Sequence, residues 1–151
     1  MYTANLNTLD LLEGWYENDP HMRVKVTFPF SQATGNASSA AVYFEIEPGH
    51  SLGTHTDSAE EIVLVLSGTV EASLGDEHGT LSAGQAILIP AMIPHGIRNV
   101  GKEKVRFLVN GTEVASQSSA DLDTNGIAGL RVNHNLNVNI ENFGAKSSTS
   151  H

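Results

Sequence analysis

The chain of 151 residues contains no cysteine. That excludes disulfides and thiolate ligands, so any metal site has to be built from imidazole and carboxylate groups. Basic residues are scarce as well: 8 Lys and Arg stand against 17 Asp and Glu, a formal charge of -9. Such a surface repels phosphate backbones and anionic headgroups, which argues against nucleic acid and membranes as partners. No stretch approaches the roughly 20 apolar residues of a membrane span. The start, MYTANLNTLDLLEGW, lacks a basic region followed by an apolar run. A cytoplasmic location is the expectation. The length suits one domain with a substantial core rather than two.

What the sequence does contain is a series of short segments rich in β-branched and aromatic residues: RVKVTF, AVYFEIE, EIVLVLS, TVEASL, QAILIP, HGIRNV and KVRFLVN. Most are closed by Gly, Pro, Asn or Ser, and no 3.6-residue periodicity separates them, so an all-β sandwich or barrel is predicted. SQATGNASSA reads as a surface loop and GDEHG as a hairpin turn. Thr8 and Asp10 precede Leu9, Leu11, Leu12 and Trp15, a pattern that suits a short capped helix or an irregular arm. Residues 1–21 are therefore assigned to an N-terminal arm and 22–111 to the β-domain. Residues 112–151 are read as a linker, one late strand and a disordered tail. The late strand rests on Leu130, Val132, His134, Leu136, Val138 and Ile140, which alternate with polar residues. Its apolar face calls for cover, either on the barrel or across a dimer interface.

One stretch concentrates ligand chemistry. In HTDSAEEIVLVLSG, His55, Asp57 and Glu61 share parity if the chain is extended, and Glu60 has the opposite parity and is expected to face solvent. His95 in IPAMIPHGIRN is a further candidate. Two imidazoles with one or two carboxylates suit a divalent first-row metal. For Asp57 a solvent-facing or supporting carboxylate remains the alternative to a ligand. His21, His50, His78 and His151 lie in turn-like or terminal contexts and read as surface residues, while His134 reads as a buried histidine of the late strand. Tyr43, Phe28, Met92 and Phe107 suit either a pocket lining or the core.

These residues resemble the two motifs of the cupin family, G-x5-H-x-H-x3-4-E-x6-G and G-x5-P-x-G-x2-H-x3-N. The first falls on Gly49, His55, Asp57, Glu61 and Gly68, with Asp in place of the second His. The second falls on Gly84, Pro90, Met92, His95 and Asn99, with Met in place of the middle Gly. The resemblance implies a double-stranded β-helix, the cupin jelly roll, with a C-terminal extension carrying one extra strand. It also implies a metal held in the barrel mouth by His55, Asp57, Glu61 and His95, and a homodimer binding a small molecule. Gly49, Gly68 and Gly84 become turn residues and Asn99 an internal hydrogen-bonding residue. Fe(II) is the favoured ion, with Mn(II), Ni(II) and Zn(II) as alternatives. The function expected is that of a metal-dependent enzyme on a small organic molecule, quercetin-dioxygenase-like in type. The rivals are a non-catalytic ligand-binding or sensory cupin and a metal-free dimeric jelly roll.

Overall fold

Segments such as HMRVKV and TVEASL alternate apolar with polar side chains and so form strands with one buried face, whereas EIVLVLS and AILI carry continuous apolar runs. A computed structural model describes residues 1–16, 19–31, 34–35, 38–57, 59–112 and 130–132. They form β1 (Leu12–Tyr16), β2 (Asp19–Phe30), β3 (Ser39–Ile46), β4 (Ser51–His55), β5 (Glu61–Ser67) and β6 (Thr69–Leu74). These are followed by β7 (Glu77–Ser82), β8 (Ala86–Ile89), β9 (His95–Asn99), β10 (Val105–Thr112) and β11 (Leu130–Val132). In β3, Val42, Phe44 and Ile46 join the core cluster, as Val63 and Val65 do in β5. Ile62, between Glu61 and Val63, is instead 49% exposed.

The strands make two antiparallel sheets. One has seven strands in the order β11-β1-β2-β3-β10-β5-β8, the other four in the order β4-β9-β6-β7. Between them lies a core that includes Val42, Phe44, Val63, Val70, Ile97 and Phe107. Burial of each such side chain contributes roughly 1.5–3 kcal/mol. Phe44 and Phe107, directly paired across β3 and β10, stack with ring centroids 5.1 Å apart. This is the all-β jelly roll expected from the sequence.

The N-terminal segment corrects one expectation. Residues 12–16 are neither helix nor irregular arm, because β1 pairs with β2, Leu12 opposite Val26 and Trp15 opposite Arg23. The supposed capping residues are used differently. Asn5 organises a turn in which its carbonyl accepts from Thr8 N and its side chain from Asn7 N. Beyond it Leu12 and Gly14 are buried and Glu13 is exposed, a period of two. The GDEHG turn is also shorter than expected: Leu74 already pairs with Glu77, leaving only Gly75 and Asp76 as the loop. Of the late segment, Leu130–Val132 pairs with β1. Residues 133–151 and the linker residues 115–126 lie outside the described residues.

Candidate metal centre

Strand ends position the four candidate residues. His55 closes β4 and His95 opens β9, and the two are directly opposed across an antiparallel pair. Opposed residues of such a pair bring their Cβ atoms to about 5 Å, and here the imidazole centroids lie 4.3 Å apart. Glu61 opens β5, and Asp57 sits in the connection between β4 and β5. The structure thus brings His55, Asp57, Glu61 and His95 to one end of the barrel. Extended parity does not account for all of it. The chain leaves the strand after His55, so Asp57 arrives from a loop whose carbonyl accepts a 2.7 Å hydrogen bond from Met92 N.

Both imidazoles are oriented by backbone. His55 Nδ1 donates to Gly53 O at 2.7 Å and His95 Nδ1 donates to Ile93 O at 2.8 Å. In the neutral ring this leaves the lone pair on Nε2, and both Nε2 atoms turn towards the carboxylates. Asp57 Oδ2 lies 3.4 Å from each Nε2, and Glu61 Oε2 lies 3.4 Å from His95 Nε2. Asp57 Oδ2 and His95 Nε2 are nevertheless buried without a hydrogen-bond partner. Orphaned buried polar atoms are costly and need an explanation. Ligand atoms about 2.1 Å from a shared ion stand about 3.0–3.4 Å apart, so the observed spacing fits a divalent ion. One donor atom from each of His55, Asp57 and His95 lies within 4.8 Å of the others, and this group could hold a metal.

The charges are strongly linked. Burial disfavours the Asp57 carboxylate, but His55 and His95 outweigh it and lower its pKa to about 2. For Glu61 burial prevails, and with the negative charge of Asp57 it raises the pKa despite His95. Burial would lower His95, but Asp57 and Glu61 secure its proton and push it up to about 10. Phe44, Leu52, Val63, Ile97, Phe107 and Val109 line the rest of a cavity of about 20 Å3, with room for roughly one water.

The remaining candidates separate cleanly. His21, His78 and Glu60 are exposed and His50 is half-buried outside the centre, while His134 and His151 lie outside the described residues. Tyr43 turns to the other face of the sheet, where its hydroxyl donates to Glu45 at 2.6 Å and accepts from Arg106 Nε. Phe107 serves both core and cavity, Phe28 packs on the core and Met92 is 51% exposed. Gly49, Gly68 and Gly84 all have positive φ, as their turn positions require. Sequence reasoning missed the carbonyls of Gly53 and Ile93, because a backbone acceptor leaves no residue-type signature.

Comparisons with known proteins agree with this architecture. The chain is 33% identical over 75 residues to the polyketide synthase CurC of Streptomyces cyaneus, covering 49% of each. It is 32% identical over 88 residues to the protein SchB of Streptomyces halstedii, covering 58% of this chain and 62% of that one. The chain therefore spans about half to three-fifths of these curated relatives. The crystal structure of the polyketide cyclase RemF from Streptomyces resistomycificus superposes with a TM-score of 0.63 at 23% identity, over 74% of this chain and 79% of that one. Among the described residues no helix is long and apolar enough to cross a membrane. Residues 42–110, which carry all four clustered side chains, match the family model of the cupin domain.

Proposed function

We propose that the chain is a metal-dependent enzyme acting on a small organic molecule that presents two neighbouring oxygens, such as an enolisable 1,3-dicarbonyl of polyketide type. The observation that carries this reading is the group His55, Asp57 and His95, in which Asp57 Oδ2 and His95 Nε2 are buried without a hydrogen-bond partner. His55, Asp57, Glu61 and His95 are the residues available to hold the ion. A divalent ion, when bound, supplies Lewis acidity towards a carbonyl oxygen. The protein's own contribution is positional. The carbonyls of Gly53 and Ile93 fix the imidazole planes, the Asp57 carboxylate offsets positive charge, and the apolar wall keeps water away. The narrow cavity admits a group of about one water's size, so the bulk of a substrate stays at the mouth. The substrate class rests on the similarity to CurC, a polyketide synthase. A quercetin-dioxygenase-like oxygenase on Fe(II) is the second reading, favoured by the set of two His and one carboxylate.

The deciding experiment is elemental analysis of protein purified without an affinity tag. About one divalent transition ion per chain is expected, and His55→Ala or His95→Ala should remove most of it. Oxygen uptake with flavonols and β-diketones then separates the oxygenase from redox-neutral chemistry. Wild-type protein that holds no Fe(II), Mn(II), Ni(II) or Zn(II), even when these are added, ends the enzyme reading.

A further inference from the structure

Two carboxylates face the imidazoles, and they are not equivalent. Asp57 Oδ2 stands 3.4 Å from Nε2 of both His55 and His95, whereas Glu61 Oε2 is at that distance from His95 alone. The three donors that lie mutually within 4.8 Å are those of His55, Asp57 and His95, and Glu61 stands outside that set. It is Asp57 Oδ2, moreover, that is buried without a hydrogen-bond partner. The two side chains are also held differently. The Asp57 backbone is tied to Met92 in a loop, whereas Glu61 is fixed in β5 between Ile89 and Gly111. A Cβ at Gly111 would sit 3.5 Å from Glu61 Cγ, so the glutamate stem packs directly on that backbone.

We infer that an ion at this centre is held by His55, Asp57 and His95, and that Glu61 remains outside the coordination set as the proton acceptor for the bound substrate. The motif resemblance would make Glu61 a ligand. The substitution of Asp for the second His supplies a carboxylate already centred between both imidazoles, which releases Glu61. The cavity is lined by these four titratable residues and by apolar side chains, so with three of them engaged Glu61 is the remaining base. For a 1,3-dicarbonyl the step is a proton transfer. The C–H between the carbonyls gives its proton to the Glu61 carboxylate, the bonding pair becomes the enolate C=C, and the carbonyl oxygen takes the charge. No oxidant or reductant is consumed, and return of the proton restores the carboxylate.

This inference rests on the metal-dependent reading, and its test separates the two. Wild type, Glu61→Gln and Asp57→Asn are compared by chelator competition with Zn(II), by the visible absorption of the Co(II)-loaded proteins, and by deuterium uptake at C2 of ethyl acetoacetate in D2O. Glu61→Gln is expected to keep metal affinity within about tenfold and to keep the Co(II) spectrum, whereas Asp57→Asn should lose more than about 100-fold, beyond the effect of a supporting residue. Deuterium uptake should fall about 100-fold or more in Glu61→Gln, the usual contribution of a general base. A Glu61→Gln protein that loses metal as severely as Asp57→Asn, or changes its Co(II) spectrum, overturns the ligand assignment. Metal-loaded wild type that fails to speed the exchange, or a Gln variant that matches it, overturns the acceptor role. Failure of wild type to bind metal strikes instead at the proposed function itself.

Discussion

Met92 adopts a left-handed backbone, φ 64°, where the second motif has glycine. For a residue with a Cβ this conformation costs about 1–2 kcal/mol. The loop keeps it because the Met92 N–H must reach Asp57 O, and because Ile93 O must meet the His95 ring. The strain is therefore the result of aiming two backbone groups at two residues of the centre. With its side chain 51% exposed, Met92 loses little packing on truncation. Met92→Gly should stabilise the protein by about 0.5–1 kcal/mol, the relief of strain less the extra entropy of an unfolded glycine. Met92→Ala retains the Cβ and should bring no gain. Urea denaturation of the two variants is the measurement, and equal stabilities would show that the turn is unstrained. Departure from the motif was legible here as a letter in the sequence, but its cost was not, since φ depends on where the loop is anchored.

At the scale of elements, the β4/β9 pair carries the site at one end and a structural clamp at the other. Asn99, 1% exposed, donates from Nδ2 to the carbonyls of Ile46 and Glu103, both at 2.8 Å, and its Oδ1 accepts from Gly101 N at 3.0 Å. Its backbone also bonds Gly49 N and His50 O, so the end of β9 is tied to the turn that launches β4. This is how the register that opposes His55 to His95 is secured far from the imidazoles. Asn99→Ala strands two carbonyls and an N–H, and a loss of about 2–4 kcal/mol is expected. Metal stoichiometry measured at low temperature should be unchanged, and a loss below about 1 kcal/mol would mean that water replaces the clamp. The sequence made this pair legible, because His55, His95 and Asn99 keep motif spacing and their strands alternate. It did not reveal β1, since Leu9, Leu11, Leu12 and Trp15 suit more than one periodicity, and only pairing with β2 decides between them. Nor did it explain Asp57 by parity, because strand geometry ends at His55 and the approach of Asp57 depends on a non-local bond to Met92.

For the whole molecule, proton, metal and folding compete at one centre. Without metal, His95 retains its proton to about pH 10 because Asp57 and Glu61 offset the penalty of burial. A folded pKa raised above the ordinary 6.5 gives stability that is fully present below 6.5 and lost as pH rises towards 10. Asp57 acts in the opposite sense. Its value is lowered from 3.8 to about 2, so its contribution is present above 3.8 and lost as pH falls towards 2. Glu61, raised above 4.5, contributes stability that is present below 4.5 and is lost as pH rises through its folded value. Metal-free protein should thus be most stable near pH 4, above the 3.8 at which the Asp57 contribution is complete and below the 4.5 at which that of Glu61 begins to be lost. An ion requires His95 Nε2 without its proton, so binding releases about one proton and affinity should climb about tenfold per pH unit below the His95 pKa. A ligand that binds only the folded chain stabilises it by about 2.7 kcal/mol at 100 times its Kd. The gap in Tm between Mn(II)-saturated and EDTA-treated protein should therefore widen steadily from pH 5.5 to 8, the metal-free Tm falling over the same range. Calorimetry across that range measures both, and a gap that stays constant with pH would show that His95 carries no proton for the metal to displace.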